Sequence, residues 1–128
     1  MPRLVLIADD SDQLAATIEI ALSGFPELEV VSVSDGARAY QCLSRDTSVC
    51  ALVTDLNMPR MDGFELIERL RSNDRLSRLP VIAVSGDTDP RTPSRVLALG
   101  ADAYFAKPFS PAELRDTLAR LIGRGARE

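Results

Sequence analysis

A chain of 128 residues that is 45% hydrophobic and 27% charged has material for one domain with a full core and too little for two ordinary ones. Its net charge of −4 argues against nucleic acid as a direct partner, because a phosphate backbone demands a basic face. The absence of histidine excludes a Ser-His-Asp triad, disfavours a zinc site, and leaves any phosphohistidine chemistry to a partner.

No apolar run approaches the roughly 20 residues of a membrane span, and the first residues lack the charged-apolar-small order of a signal peptide. The expected compartment is therefore the cytoplasm, with no membrane partner. Cys42 and Cys50 are too few for a disulfide framework and are expected to be reduced, buried and apolar in character. Positive charge is carried almost wholly by arginine: Lys107 is the one lysine.

Along the chain, apolar runs alternate with stretches of helical period. "RLVLIA" (3–8) predicts a strand, followed by a helix from about Asp12 to Ser23 with Leu14, Ile18 and Leu22 on one face. Asp12 is the expected cap of that helix. "LEVVSV" (28–33) predicts a second strand, and a helix led by Ala39, Tyr40 and Leu43 follows over Gly36 to Arg45. "VCALVTD" (49–55) predicts a third strand. Its helix runs from about Gly63 to Asn73, with Phe64, Ile67 and Leu70 inward and Asp62 as N-cap. "LPVIAVS" (79–85) predicts a fourth strand and "DAYFAK" (102–107) a fifth. Between them Pro90 and Pro93 block an early helix, so a late, short one is expected from Thr92 or Pro93 to Leu99. In "SPAELRDTLARLIGR" Ser110 caps, Pro111 occupies the first turn and Glu113 completes a capping box. Five strands alternating with five helices predict a doubly wound α/β fold, a parallel sheet covered on both faces.

Ligands of such sheets bind outside the carboxyl ends of the strands. This sequence places Asp9 and Asp10 after the first strand, Asp55 at the end of the third, Ser85 at the end of the fourth and Lys107 after the fifth. Two carboxylates ~4 Å apart repel by roughly 4 kcal/mol at an effective dielectric near 20, so either one stays protonated or a cation joins them. Oxygen donors without histidine or thiolate suit a hard ion, and Mg²⁺ is the natural choice. Such an ion leaves room for a phosphoryl group. Lys107 would neutralise one of its oxygens, Ser85 would donate to another, and Asp55 becomes the candidate nucleophile.

"ADDS" (8–11), "TDLNMPRMDG" (54–63), "VSGD" (84–87) and "AKPF" (106–109) together resemble the response-regulator receiver domain of two-component signalling, in the manner of chemotaxis regulators. The resemblance spans the whole chain, implying a single receiver domain over 1–128 with a tail over about 123–128 that frays. It implies a flavodoxin-like three-layer sandwich with strand order 2-1-3-4-5. It further implies Asp55 as phosphoacceptor, Asp9, Asp10 and Asp55 with the Asn57 backbone carbonyl as Mg²⁺ ligands, and a cis Lys107–Pro108 peptide that aims Lys107 into the crevice. Ser85 and Tyr104 would be switch residues. The implied partners are a sensor histidine kinase or histidine phosphotransfer protein, and a downstream protein docked on the face of the fourth helix, fifth strand and fifth helix. Monomer, or dimer upon phosphorylation, is the implied assembly. Asp87 and Asn57, each two residues beyond a crevice group, would flank the phosphate and influence its lifetime.

By the same resemblance the domain is a switch rather than an enzyme, catalysing only its own phosphoryl transfer and autodephosphorylation. Alternatives remain on the same architecture: a binding module independent of phosphorylation, or the receiver portion of a larger regulator with a separate output domain. A flavodoxin-like electron carrier would place a hydroxyl-rich loop where Asp9 and Asp10 stand, and an aspartyl phosphatase would want a second Asp where Asn57 stands.

Overall fold

The computed structural model describes residues 3–125. The elements alternate as expected: β1 (Arg3–Ala8), α1 (Asp12–Ala21), β2 (Leu28–Val33), α2 (Gly36–Arg45), β3 (Val49–Asp55), α3 (Gly63–Ser72), β4 (Val81–Ser85), α4 (Thr92–Leu99), β5 (Ala103–Ala106) and α5 (Pro111–Gly125). All strand pairs are parallel, in the order β2-β1-β3-β4-β5. Of the tail expected to fray over about 123–128, positions 123–125 instead continue α5, and 126–128 lie outside the described residues.

Side chains alternate across a strand, and this period of two divides the interior into two cores. Leu6 and Ala8 of β1, Leu52 of β3 and Ala83 of β4 pack with Leu43, Ile67, Leu70 and Val96 under α2, α3 and α4. Val5, Ile7, Val53, Ile82 and Val84 point the other way, onto Leu14 and Ile18 of α1 and Leu114 and Leu118 of α5. Central β4 is buried throughout, whereas edge strand β2 alternates between half-buried and exposed. Burying both faces of a strand requires the near-continuous apolar runs seen in β1, β3 and β4.

Local chemistry sets the helix limits, and it departs from expectation at α1. Ser11, rather than Asp12, is the N-cap: its side chain accepts from Gln13 N–H, and Asp12 is the first helical residue. Asp12 instead supplies negative charge to the first turn, where the helix dipole favours it. Asp62 caps α3 as expected, accepting from Glu65 N–H at 2.9 Å, and Ser110 accepts from Glu113 N–H at 3.2 Å ahead of α5. α4 starts at Thr92 and is closed after Leu99 by Gly100, whose φ of 118° lies in the left-handed region open to glycine.

Arg71 fastens α3 to the end of α4, and Arg95 of α4 lies 3.9 Å over the Phe64 ring of α3. Arg71 donates from Nε and Nη2 to the Gly100 carbonyl at 2.9 and 2.8 Å, and from Nη1 to Leu79 O at 2.8 Å. These bonds hold carbonyls that the helix end and the α3–β4 turn leave open. The β4 boundary is also corrected: Leu79 and Pro80 precede the strand, and Pro80 only accepts, from Leu52 N–H. Cys42 and Cys50 are free as expected but only half-buried, because they lie at the rims of the two cores.

Candidate functional site

Register brings the strand ends to one level. Ala8 pairs with Thr54, Asp55 with Val84 and Ser85 with Ala106, so the residues that finish or follow β1, β3, β4 and β5 share one edge of the sheet. Asp9, Asp10, Asp55, Ser85 and Lys107 all stand there. Gly63 makes room for the turn behind Asp55: a Cβ at this position would fall 2.5 Å from the Asp55 carbonyl oxygen and 2.8 Å from Leu56 Cα.

Asp9, Asp10 and Asp55 each offer one carboxylate oxygen within 4.8 Å of the others. Asp9 and Asp55 are buried and Asp10 is exposed. Lys107 reaches between them, with Nζ 3.1 Å from Asp55 Oδ2 and 3.7 Å from Asp9 Oδ2. The Lys107–Pro108 peptide is cis, as expected. Asp55 Oδ1 accepts from Asn57 N–H at 3.2 Å, and Asp9 Oδ1 accepts from Ser11 N–H at 3.0 Å. Asp9 Oδ2, by contrast, is buried without a hydrogen-bond partner.

Electrostatics follow from this crowding. Burial, reinforced by the charge of Asp55, raises the Asp9 carboxyl above its ordinary value against the pull of Ser11 N–H and Lys107. Burial alone would lower Lys107, but the hydrogen bond and charge of Asp55, with the charge of Asp9, outweigh it and hold the ammonium above its usual value. The crevice thus has negative charge to spare and a buried carboxylate oxygen that accepts no hydrogen bond, a combination that suits a hard cation.

Ser85 is fully buried, and its Oγ accepts from Asp87 N–H at 2.9 Å. Asp87 Oδ2 in turn accepts from the Thr92 hydroxyl at 2.8 Å, where α4 begins. Tyr104 pairs with Ala83 across the β4–β5 ladder and packs, half-buried, against the core under α2, α3 and α4. Strand alternation puts Ser85 and Ala106 on that same face, two residues beyond Ala83 and Tyr104.

With this geometry in place, comparison with known proteins is decisive. Residues 5–119 match the response regulator receiver domain. The chain belongs to that family. A chemotaxis protein CheY homolog of Campylobacter jejuni is 30% identical over 124 residues, covering 97% of this chain and 95% of the relative. The two-component response regulator ORR11 of Oryza sativa is 31% identical over 121 residues, covering 94% of this chain and 82% of that protein. Among solved structures, the receiver domain of a Pseudomonas aeruginosa sensor histidine kinase superposes with a TM-score of 0.82 at 28% identity, over 96% of this chain and 99% of the other. That domain was solved with a magnesium ion coordinated in its active site cleft. CheY4 of Vibrio cholerae gives a TM-score of 0.81 at 28% identity, over 94% and 99%.

This receiver domain brings Asp9, Asp10, Asp55 and Lys107 together directly; Asn57 borders them through its N–H bond to Asp55, and Ser85 stands at the same sheet edge with its hydroxyl engaged by Asp87 N–H. Tyr104 stands apart on β5, below the crevice. Three residues escaped the sequence reading. Asp35, directly before a helix that opens with Gly36, carried a readable N-cap signal. Arg60 and Thr92 carried none, because their roles depend on the side chains they meet rather than on spacing. Among the described residues, no helix is long and apolar enough to cross a membrane.

Proposed function

We propose that this receiver domain is a phosphorylation-activated switch with Asp55 as phosphoacceptor. The observation that carries the reading is the Lys107 ammonium lying 3.1 Å from Asp55 Oδ2 beside two further carboxylates, one with a buried oxygen that accepts no hydrogen bond. Asp9, Asp10, Asp55 and the Asn57 carbonyl would hold Mg²⁺, which when bound neutralises charge on the phosphoryl oxygens.

The donor is a phosphohistidine on a sensor kinase or phosphotransfer protein, since this chain has no histidine of its own. An Asp55 carboxylate oxygen attacks phosphorus in line; the P–N bond breaks, its electron pair stays on the donor nitrogen, and an acyl phosphate forms. The product carries about 1.5 to 2 negative charges at neutral pH. Lys107 exchanges part of its attraction to Asp55 for a phosphoryl oxygen. Ser85 turns its hydroxyl toward another, drawing in the loop that holds Asp87. Tyr104 fills the vacated space, and the α4-β5-α5 face changes shape for a downstream protein, a population shift between two packings.

The test is intact mass after incubation with Mg²⁺ and a small acyl-phosphate donor, beside Asp55→Asn. One phosphoryl group that requires both Mg²⁺ and Asp55 is expected. No adduct from this donor or from a phosphorylated histidine kinase would leave a binding module independent of phosphorylation.

A further inference from the structure

Asp35 takes no part in the chemistry above, yet its side chain is 0% exposed. As N-cap of α2 it accepts from Arg38 N–H at 2.8 Å through Oδ1. Capping needs one oxygen and no charge, and serine or asparagine would serve as well. The second oxygen points across to the β3–α3 loop, where Arg60 Nε donates to it at 3.2 Å. The Arg38 guanidinium, at 3.5 Å, lies on the helix that Asp35 caps and ties nothing distant.

Arg60 is held in an unusual state. Its φ of 67° makes it the one non-glycine residue in the left-handed region among those described. A side chain with a Cβ disfavours that region, which glycine or asparagine usually fills. The Arg60 side chain is 62% exposed, so packing does not impose the conformation. A tight backbone turn closes around it, Met61 N–H donating to Pro59 O at 2.7 Å, and the ion pair to buried Asp35 ties the side chain from outside that turn. Gly36 N–H donates to Met61 O at 3.1 Å, an approach so close that a Cβ on Gly36 would collide with that carbonyl. The start of α2 therefore grips the loop at Arg60 and Met61, three and four residues beyond Asn57.

We infer that Asp35 and Arg60 are positioning residues for the metal site: their ion pair holds the β3–α3 loop in the left-handed turn that presents the Asn57 backbone to the crevice. Neither is among the residues that would hold metal or phosphate. The inference rests on the proposed reading of the acidic crevice as an Mg²⁺ site and adds a reason why the site is preformed.

The experiment is calorimetric titration of the full chain with Mg²⁺ alone, comparing wild type, Asp35→Asn, Arg60→Gln and the double variant, with urea unfolding of each. Asp35→Asn retains the cap, and Arg60→Gln alters an exposed side chain, so at least one variant stays folded. Expected is a loss of Mg²⁺ affinity of about tenfold in each single variant, the lower end of what outer supports of a metal site are worth. The double variant should lose no more than either single one, because one pair is being broken. The two substitutions change net charge in opposite directions, so a general field would move the affinities apart. Opposite movements would overturn the inference, as would unchanged affinity in a folded variant with only its stability lowered. A wild type that binds no Mg²⁺ would overturn the proposed function, and the positioning role with it.

Discussion

The Thr92 hydroxyl, buried at the first residue of α4, donates to Asp87 Oδ2 at 2.8 Å and fastens the helix to the loop that Ser85 anchors. α4 has no side-chain cap: Arg91, at the N-cap position, makes no capping bond, and Pro93 has no N–H to be capped. Thr92→Val preserves shape and removes this bond. Loss of about 1.5 kcal/mol in urea unfolding is expected, the low end for a hydrogen bond to a charged acceptor because Asp87 is exposed, and amide exchange should quicken in the first turn of α4. Unchanged exchange at Arg95 and Val96 would show that the proline-bound turn holds itself.

Lys107 competes with any cation for the same carboxylates, being 3.1 Å from Asp55 and 3.7 Å from Asp9. Lys107→Ala should therefore bind Mg²⁺ more tightly than wild type, while the metal-free protein becomes less stable as like charges lose their counter-ion. Calorimetry and unfolding in a chelator measure the two effects separately. Weaker Mg²⁺ binding would mean that the lysine supports the metal site rather than opposing it.

Asp9 carries a testable pH dependence. Its folded pKa is raised above 3.8, so the folded state holds the proton more firmly than the unfolded chain does. Stability of the metal-free protein consequently falls as pH climbs from 3.8 through the raised folded value, and stays lower above it. Asp9→Asn removes that penalty and can still accept from Ser11 N–H. It should be the more stable protein in chelator at neutral pH, by on the order of 1 kcal/mol, the cost of burying a carboxylate oxygen without a hydrogen bond less the attraction of Lys107 that the variant gives up. The difference should close below pH 3.8. Added Mg²⁺ should reverse the ranking, since the variant lacks one anionic donor.

Gly63 tests the rigidity behind the nucleophile. A methyl group there meets backbone, 2.5 Å from the Asp55 carbonyl oxygen, so the end of β3 or the start of α3 has to shift. Gly63→Ala should lose roughly 1–3 kcal/mol in urea unfolding, the usual range for overpacking. Phosphoryl uptake by mass should slow as well, since Asp55 loses its register with Val84.

Much of this domain is visible in local chemistry. Apolar runs of strand length, helical period and capping residues such as Asp62 and Ser110 act within a few residues of one another, so their spacing survives in the one-dimensional chain. The crevice was legible for a related reason: a carboxylate or ammonium at the end of an apolar strand is conspicuous, and a parallel sheet brings successive strand ends to one edge.

Contacts whose partners carry no chemical signature belong to the folded state alone. Arg71 closes onto the backbone carbonyls of Gly100 and Leu79, and since every residue has a carbonyl, no spacing announces the choice. Asp35 reaches Arg60 and Thr92 reaches Asp87 only after α2 and α4 pack onto the sheet. Even the α1 cap went to Ser11 instead of Asp12, because the turn leaving β1 set which of two adjacent capping-competent side chains faced Gln13 N–H. Periodicity and residue type place the groups that do chemistry; packing of helices against the sheet selects the bonds that hold them there.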